Sequence, residues 1–178
     1  MKEEQVKSLN ARDHIRLRPS MYVGSLDKRG IHYLLFEILR FLCEENRLES
    51  EIVIDLSHEI TTLKFRRTAL NQLLESDAVK TLNGLTRFES RTVGANDSFC
   101  VVILFHLSSY LKVSSSNGDI AVLNDGEFDF TTTNVEQGGW LNIDFKLDDS
   151  IFETVCFSKA ILRTCLLYTS DAADEEDS

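Results

Sequence analysis

From Gly30 to Glu45 the chain reads G-I-H-Y-L-L-F-E-I-L-R-F-L-C-E-E, with apolar residues returning at steps of three and four. Ile31, Leu34, Leu35, Ile38, Leu39 and Leu42 form one broad stripe, which predicts an amphipathic helix ending near Asn46. Glu37 lies at the edge of that stripe, one turn after Tyr33 and one turn before Phe41. On pattern alone such a carboxylate reads as a solvated boundary residue. Ahead of the helix, Pro19 and Gly24 bracket a turn, because proline fixes φ and glycine tolerates what other residues cannot. Leu9 to Leu17 is predicted to be a short helix, capped by Asn10 and stopped by Pro19.

Downstream the period changes. Ile52, Ile54 and Leu56 alternate with polar partners, and a second run covers Ile60 to Phe65, so a β-hairpin turning at Ser57-His58-Glu59 is expected. Residues 67–80 read as helix with Leu70, Leu73 and Leu74 on one side. Thr81 to Thr92 shows no clear period and reads as loop or short strand. Asp97 to Leu107 is a strongly apolar, central helix running into a strand, Tyr110 to Val113. Asn117-Gly118 is a hairpin signal leading to Ile120–Leu123, and Asn124-Asp125-Gly126 marks a second turn. Trp140 to Leu147 reads as a strand and Ile151 to Arg163 as a closing helix. Helices and mostly antiparallel strands interleave, which predicts an α+β sandwich of one sheet with helices on one face.

Composition narrows the class. The 178 residues are 43% hydrophobic, enough for one sizeable core. One proline and eight glycines argue for a compact domain without a linker. No apolar run approaches membrane-spanning length, and M-K-E-E-Q-V-K-S lacks the apolar core of a secretion signal. Cys43, Cys100, Cys156 and Cys165 are widely spaced, which reads as reduced thiols in a cytoplasmic protein and not as a metal site. His14, His32, His58 and His106 show no carboxylate or cysteine spacing for metal or nucleophilic chemistry; His32 reads as a satisfied structural histidine. Arg12, Arg16, Arg18, Lys28 and Arg29 make the N-terminal region locally basic, expected as salt-bridged surface, with a phosphate or DNA contact as the alternative.

The opening R-P-S-M-Y-V-G, followed by R-G-I-H-Y-L-L-F-E-I-L-R-F-L-C-E-E, resembles the start of the ATPase domain of type IIA topoisomerases, the gyrase B and topoisomerase IV B subunits of the GHKL superfamily. That family writes R-P-G-M-Y-I-G and then R-G-L-H-H-x-x-x-E-x-x-x-N-x-x-D-E. Met21, Tyr22, Gly24, Gly30, His32, Glu37 and Glu45 match without a gap. Gly94 to Val113 is similar to the family's G-G-L-H-G-V-G-x-S-V-V-N-A-L-S-x-x-L-x-V, and Ile143 to Thr154 to its I-x-F-x-P-D-x-x-I-F. The resemblance spans most of residues 9–164, is absent between about 66 and 90, and implies a GHKL-type (Bergerat) two-layer sandwich with a mixed, mostly antiparallel sheet. It further implies ATP and Mg²⁺ as cofactors if the site is intact, a homodimer, and a partner like the topoisomerase A subunit.

Cys165 to Glu175, C-L-L-Y-T-S-D-A-A-D-E, resembles the translation of a transposon-based sequencing-library adapter. That implies a native reading ending near Thr164, with 1–164 one domain and 165–178 a non-native tail. The net charge is −10; the tail's Asp171, Asp174, Glu175, Glu176 and Asp177 leave 24 acidic against 19 basic residues elsewhere. Neither balance indicates a broad nucleic-acid-binding face.

The departures from the family pattern bear on function. Glu37 occupies the place of the carboxylate that polarises water against the γ-phosphate. Phe41 stands where the family's asparagine holds Mg²⁺, and a phenyl ring offers no oxygen to a hard cation. Tyr33 replaces the histidine that supports the glutamate, and a phenol can still hydrogen-bond. Phe65-Arg66-Arg67-Thr68-Ala69 falls on the adenine-recognising D-x-G-x-G. Arginine cannot accept from the adenine amine, and one such unpaired donor costs about 1–3 kcal/mol. Trp140 or Leu141 stands in place of a family threonine. In the phosphate lid only Gly94 survives of four glycines, with Asn96 and Asp97 following, although a helix N-terminus there still favours anions. Phe41, Trp140 and Phe99 are expected to fill the site. The reading is a divergent homologue with lost or impaired ATP binding and hydrolysis, serving as a dimerisation or interaction module. Two others stay open: a working ATPase acting in DNA topology, with Asp55 or Asp125-Gly126 as a displaced adenine carboxylate, and a reading frame without selected activity.

Overall fold

The computed structural model describes residues 10–44, 51–56, 60–66, 69–87, 99–132, 135, 137 and 139–153. Its elements in chain order are α1 (Ala11–Leu17), α2 (Ser20–Val23), α3 (Lys28–Glu44), β1 (Glu51–Leu56), β2 (Thr61–Arg66), α4 (Ala69–Arg87), α5 (Phe99–Leu107), β3 (Ser108–Ser115), β4 (Gly118–Asn124), β5 (Glu127–Phe130) and β6 (Leu141–Leu147). The strands form one sheet in the order β1-β2-β6-β3-β4-β5, and every pairing is antiparallel.

Alternation sets the two faces of this sheet. Leu63 and Phe65 of β2, Leu111 and Val113 of β3, and Leu141, Ile143, Phe145 and Leu147 of β6 point to one side and are buried. That side meets the helices in a single core. The other side carries Thr62, Lys64, Arg66, Lys112, Asn142, Asp144 and Lys146 at intermediate burial. There Thr62 donates to Asp144 across the β2–β6 pair (2.6 Å), and Lys112 pairs with Asp119 (3.0 Å). This is the α+β two-layer arrangement that the pattern predicts.

α5 is the hub of the helical layer, buried from Val101 to Leu107 and packed against α1, α3 and α4. Every member of the α3 stripe is buried, as its spacing predicts. Asn10 caps α1, accepting from the Asp13 N–H (2.8 Å). α2 is the turn bracketed by Pro19 and Gly24, tightened to one helical turn that ends at Gly24 with φ +73°.

Three local expectations change. Thr81 to Arg87 is helix, not loop, because α4 restarts after a kink at Asp77 (φ −163°, ψ 88°). The Asp77 carboxylate accepts from the Lys80 N–H (2.9 Å) and caps the second segment, and Ala78, Leu82 and Leu85 then bury one face. β5 is an additional strand, joined to β4 by a tight turn in which Asp125 (φ 49°) and Gly126 (φ 89°) both adopt positive φ. Residues 151–153 form a turn. The remainder of the predicted closing helix, the turn at 57–59, the boundary at 164 and the tail lie outside the described residues.

Candidate functional site

Gly30 decides how the opening segment is folded upon itself. A Cβ there would stand 1.7 Å from the Ser25 carbonyl oxygen and 2.9 Å from that of Val23. Only glycine lets α3 start this close beneath the end of α2. That approach sets Tyr22 over the side of α3, where its hydroxyl meets His14 Nδ1 (2.8 Å) and its ring packs against Phe99 at the start of α5 (centroids 5.8 Å apart).

Between α3 and α5 this leaves a cavity of about 130 Å³, lined by Tyr22, Tyr33, Leu34, Glu37, Arg40, Phe99, Cys100 and Ile103. Glu37 is its acidic group, and the carboxylate is held: Arg40 Nη2 donates to Oε2 at 2.7 Å and Nε at 3.2 Å. Burial pushes the Cys100 thiol up to about 12, with the Glu37 charge adding to the effect, so it is no nucleophile at neutral pH.

The residues singled out in the sequence divide accordingly. Glu37 and Tyr33 share the cavity, but the group holding Glu37 among the described residues is Arg40, not the Tyr33 phenol. Arg40 was missed; its i,i+3 spacing from Glu37 was the available signal. The filled site is corrected in part. Phe99 lines the cavity, whereas Phe41 turns into the core at 3% exposure. Trp140 lies across the polar sheet face, with Lys64 Nζ 4.7 Å and the Arg66 guanidinium 5.2 Å from its ring centre. Neither Asp55 nor Asp125 lines this cavity; Asp55 is exposed on β1, and Asp125 borders a separate polar recess with Arg12, Asn83 and Glu127. Gly94 and Asn96 lie outside the described residues.

As a holder of a metal-chelated nucleotide the described part of this site fits poorly. The position matched to the metal ligand faces the core, and the one cavity carboxylate already has a cation. No group of three or more His, Cys, Asp or Glu among the described residues is placed to hold a metal ion.

Three of the basic N-terminal residues, Arg12, Arg16 and Arg29, serve structure. Arg12 donates to the carbonyls of Phe105 (3.5 Å) and Ser108 (3.4 Å), and Arg16 to that of His106 (3.3 Å). The Phe105 and His106 carbonyls are ones that the end of α5 leaves open, and Ser108 is the first residue of β3. Arg16 also pairs with Asp148, and Arg29 with Asp27 (2.9 Å). Burial pushes the Asp148 carboxyl up, but hydrogen bonds from Ser150 and Arg16 outweigh it and hold the group at about 2. His106 sits behind the two arginines at 1% exposure, its Nε2 without a hydrogen-bond partner among the described residues. Burial, aided by Arg12 and Arg16, lowers its imidazole to about 4. Among the described residues His32 Nε2 likewise has no hydrogen-bond partner.

No family model matches the chain. A 36-residue stretch is 47% identical to the type 2 topoisomerase B subunit of Aquifex aeolicus, covering 20% of this chain and 4% of that protein. A 37-residue stretch is 51% identical to the DNA topoisomerase 4 B subunit of Mycoplasma pneumoniae, covering 21% and 6%. Over 87 residues the chain is 28% identical to the DNA topoisomerase 4 B subunit of Mycoplasma genitalium, covering 47% and 14%. The matched stretches are thus a small part of these relatives' length. Among solved structures, the B-subunit of the DNA gyrase from Myxococcus xanthus superposes with a TM-score of 0.62 at 20% identity, over 86% of this chain and 48% of that one. The 43K ATPase domain of Thermus thermophilus gyrase B, solved with an aminocoumarin, gives 0.58 at 18% identity, over 88% and 44%. The chain has the fold of the gyrase B ATPase domain, and its sequence resembles type IIA topoisomerase B subunits in divergent form.

Proposed function

From that likeness we propose that the chain is a gyrase B-like domain in which nucleotide binding and hydrolysis are lost or impaired, and that it works as a dimerisation or interaction module. The observation that carries this reading is Phe41. In the family pattern its position supplies the oxygen for Mg²⁺; here it is an apolar ring at 3% exposure in the core beneath α3. Rotating it out would expose a large aromatic surface and leave a void, a change of several kcal/mol.

Two further features point the same way. Arg40 gives Glu37 a resident counter-ion, with both of its hydrogen bonds to that carboxylate on Oε2, so that oxygen is engaged where a general base would orient water. Trp140, at or beside the family's threonine, is taken up by Lys64 and Arg66. The partners this reading implies are a second copy of the chain and, by resemblance, a protein like the topoisomerase A subunit. No helix among the described residues is long and apolar enough to cross a membrane.

Isothermal titration with a non-hydrolysable ATP analogue and Mg²⁺ tests the proposal. The expected result is no binding in the micromolar range. Micromolar affinity would overturn the reading in favour of an active ATPase domain.

A further inference from the structure

Among the described residues eight side chains line the cavity between α3 and α5, and three of them are aromatic. Two of those rings, Tyr33 and Phe99, stay exposed at 53% and 42%. Tyr22 and Phe99 meet at 39° with centroids 5.8 Å apart, so together they make one angled wall. Tyr33 stands on α3 one turn before Glu37, so the third ring and the carboxylate belong to one helix face. Leu34 and Ile103 complete an apolar lining around that acid. At about 130 Å³ the space is well under the roughly 300–1,000 Å³ of pockets that enclose whole ligands. It has room for a head group.

We propose that this cavity is an aromatic cage for a trimethylammonium group, with Glu37 as its counter-charge. The proposal rests on the reading above only in that no nucleotide takes the space. The faces of phenol and phenyl rings carry negative charge density and attract a cation, the more so when it gives up little water to reach them. A bare ammonium would bring three N–H donors to a lining with one carboxylate. A trimethylated one brings none, and sets its methyls against the rings, Leu34 and Ile103. Arg40 stands on the same wall and opposes a cation. Its guanidinium is turned onto Glu37, and both bonds fall on Oε2, which leaves Oε1 without a donor among the described residues. At the Cys100 sulfur, on the cavity wall, the Glu37 charge outweighs that of Arg40, so the interior favours a positive group.

Titration of the full chain with choline at constant ionic strength, followed by broadening of the choline methyl signal in proton NMR, tests this. Saturable binding with a dissociation constant on the order of 1 mM is expected. The uncharged carbon isostere of choline, with a tert-butyl in place of the trimethylammonium group, should bind about tenfold more weakly. Tyr33→Leu removes a mostly exposed ring and should weaken choline about fivefold, whereas Tyr33→Phe keeps the affinity. Glu37→Gln should weaken it about tenfold, and circular-dichroism melts verify that each variant folds. Acetylated, amidated trimethyl-lysine separates two sources of the group. Tighter binding than choline assigns it to a partner's side chain, and binding no tighter assigns it to a free solute. No saturation at about tenfold the expected constant, equal binding of the isostere, or folded Tyr33→Leu and Glu37→Gln variants that bind choline as the parent does each overturns the cage. Nucleotide titration reads a separate property. Micromolar binding of the ATP analogue beside an intact choline response would overturn the loss of nucleotide binding and leave the cage standing.

Discussion

Arg40 folds back one turn along α3 to hold Glu37, its Nη2 2.7 Å from Oε2. The pair is partly exposed, with side chains at 41% and 20%, so its contribution to stability is small. Its chemical effect is local, since two N–H donors of Arg40 already engage Oε2 of the cavity's acid. Replacing Phe41 by Asn, the residue of the family pattern, is accordingly expected to fail as a repair. It removes a buried ring and buries an amide, costing about 3–5 kcal/mol in a denaturant melt, while nucleotide titration stays blank. Glu37→Gln, by contrast, should move stability by less than about 1 kcal/mol.

Arg16 joins three distant parts of the chain, through its own helix, the His106 carbonyl and Asp148. Arg16→Ala strands a buried carboxylate and opens one carbonyl of α5, with an expected loss of about 1–3 kcal/mol. A double-mutant cycle with Asp148→Ala should give a coupling of at least about 0.5 kcal/mol. Simple additivity would show that the pair is incidental.

The imidazole of His106 is held at about 4 in the folded chain, below the ordinary 6.5. Between those values the unfolded state binds more protons, so stability falls as pH drops from about 6.5 toward 4, by up to about 1.4 kcal/mol per pH unit. The Asp148 carboxyl, held near 2, adds a second loss as pH falls below the ordinary carboxylate range. Chemical melts across pH should show both slopes. His106→Leu, which also removes the unpartnered Nε2, should flatten the first and leave the second.

Gly30→Ala places a methyl 1.7 Å from the Ser25 carbonyl oxygen, a contact only backbone movement can relieve. A loss of more than about 2 kcal/mol is expected, against the gain that Gly→Ala normally brings inside a helix. A neutral outcome in thermal melts would mean that α2 and α3 are not held this closely.

Much of this structure was legible because its signals are local. The stripe from Ile31 to Leu42 has one period and one face, and it folds as its spacing demands. The positive-φ turn at Asp125-Gly126 follows from residue type. The second half of α4 was not legible in the same way, because its apolar spacing restarts at Ala78 after Asp77 breaks the first segment. Resemblance led to Glu37, Tyr33 and Phe41, but orientation did not come with it. Whether an aromatic fills a cavity or turns into the core depends on packing from remote strands and helices. So does Trp140, drawn to the polar sheet face by Lys64 and Arg66, which alternate on β2. Arg12 and Arg16 read as surface charge because nothing near them in the chain announces the helix end that they serve.

The partners of Arg12 and Arg16 lie 90 to 96 positions further along the chain, and Asp148 lies 132 positions beyond Arg16. A ribosome therefore delivers these two arginines long before their partners exist. Their guanidinium groups stay idle until the hub and the last described strand have been synthesised, so the first helix is locked onto the hub among the final steps of assembly.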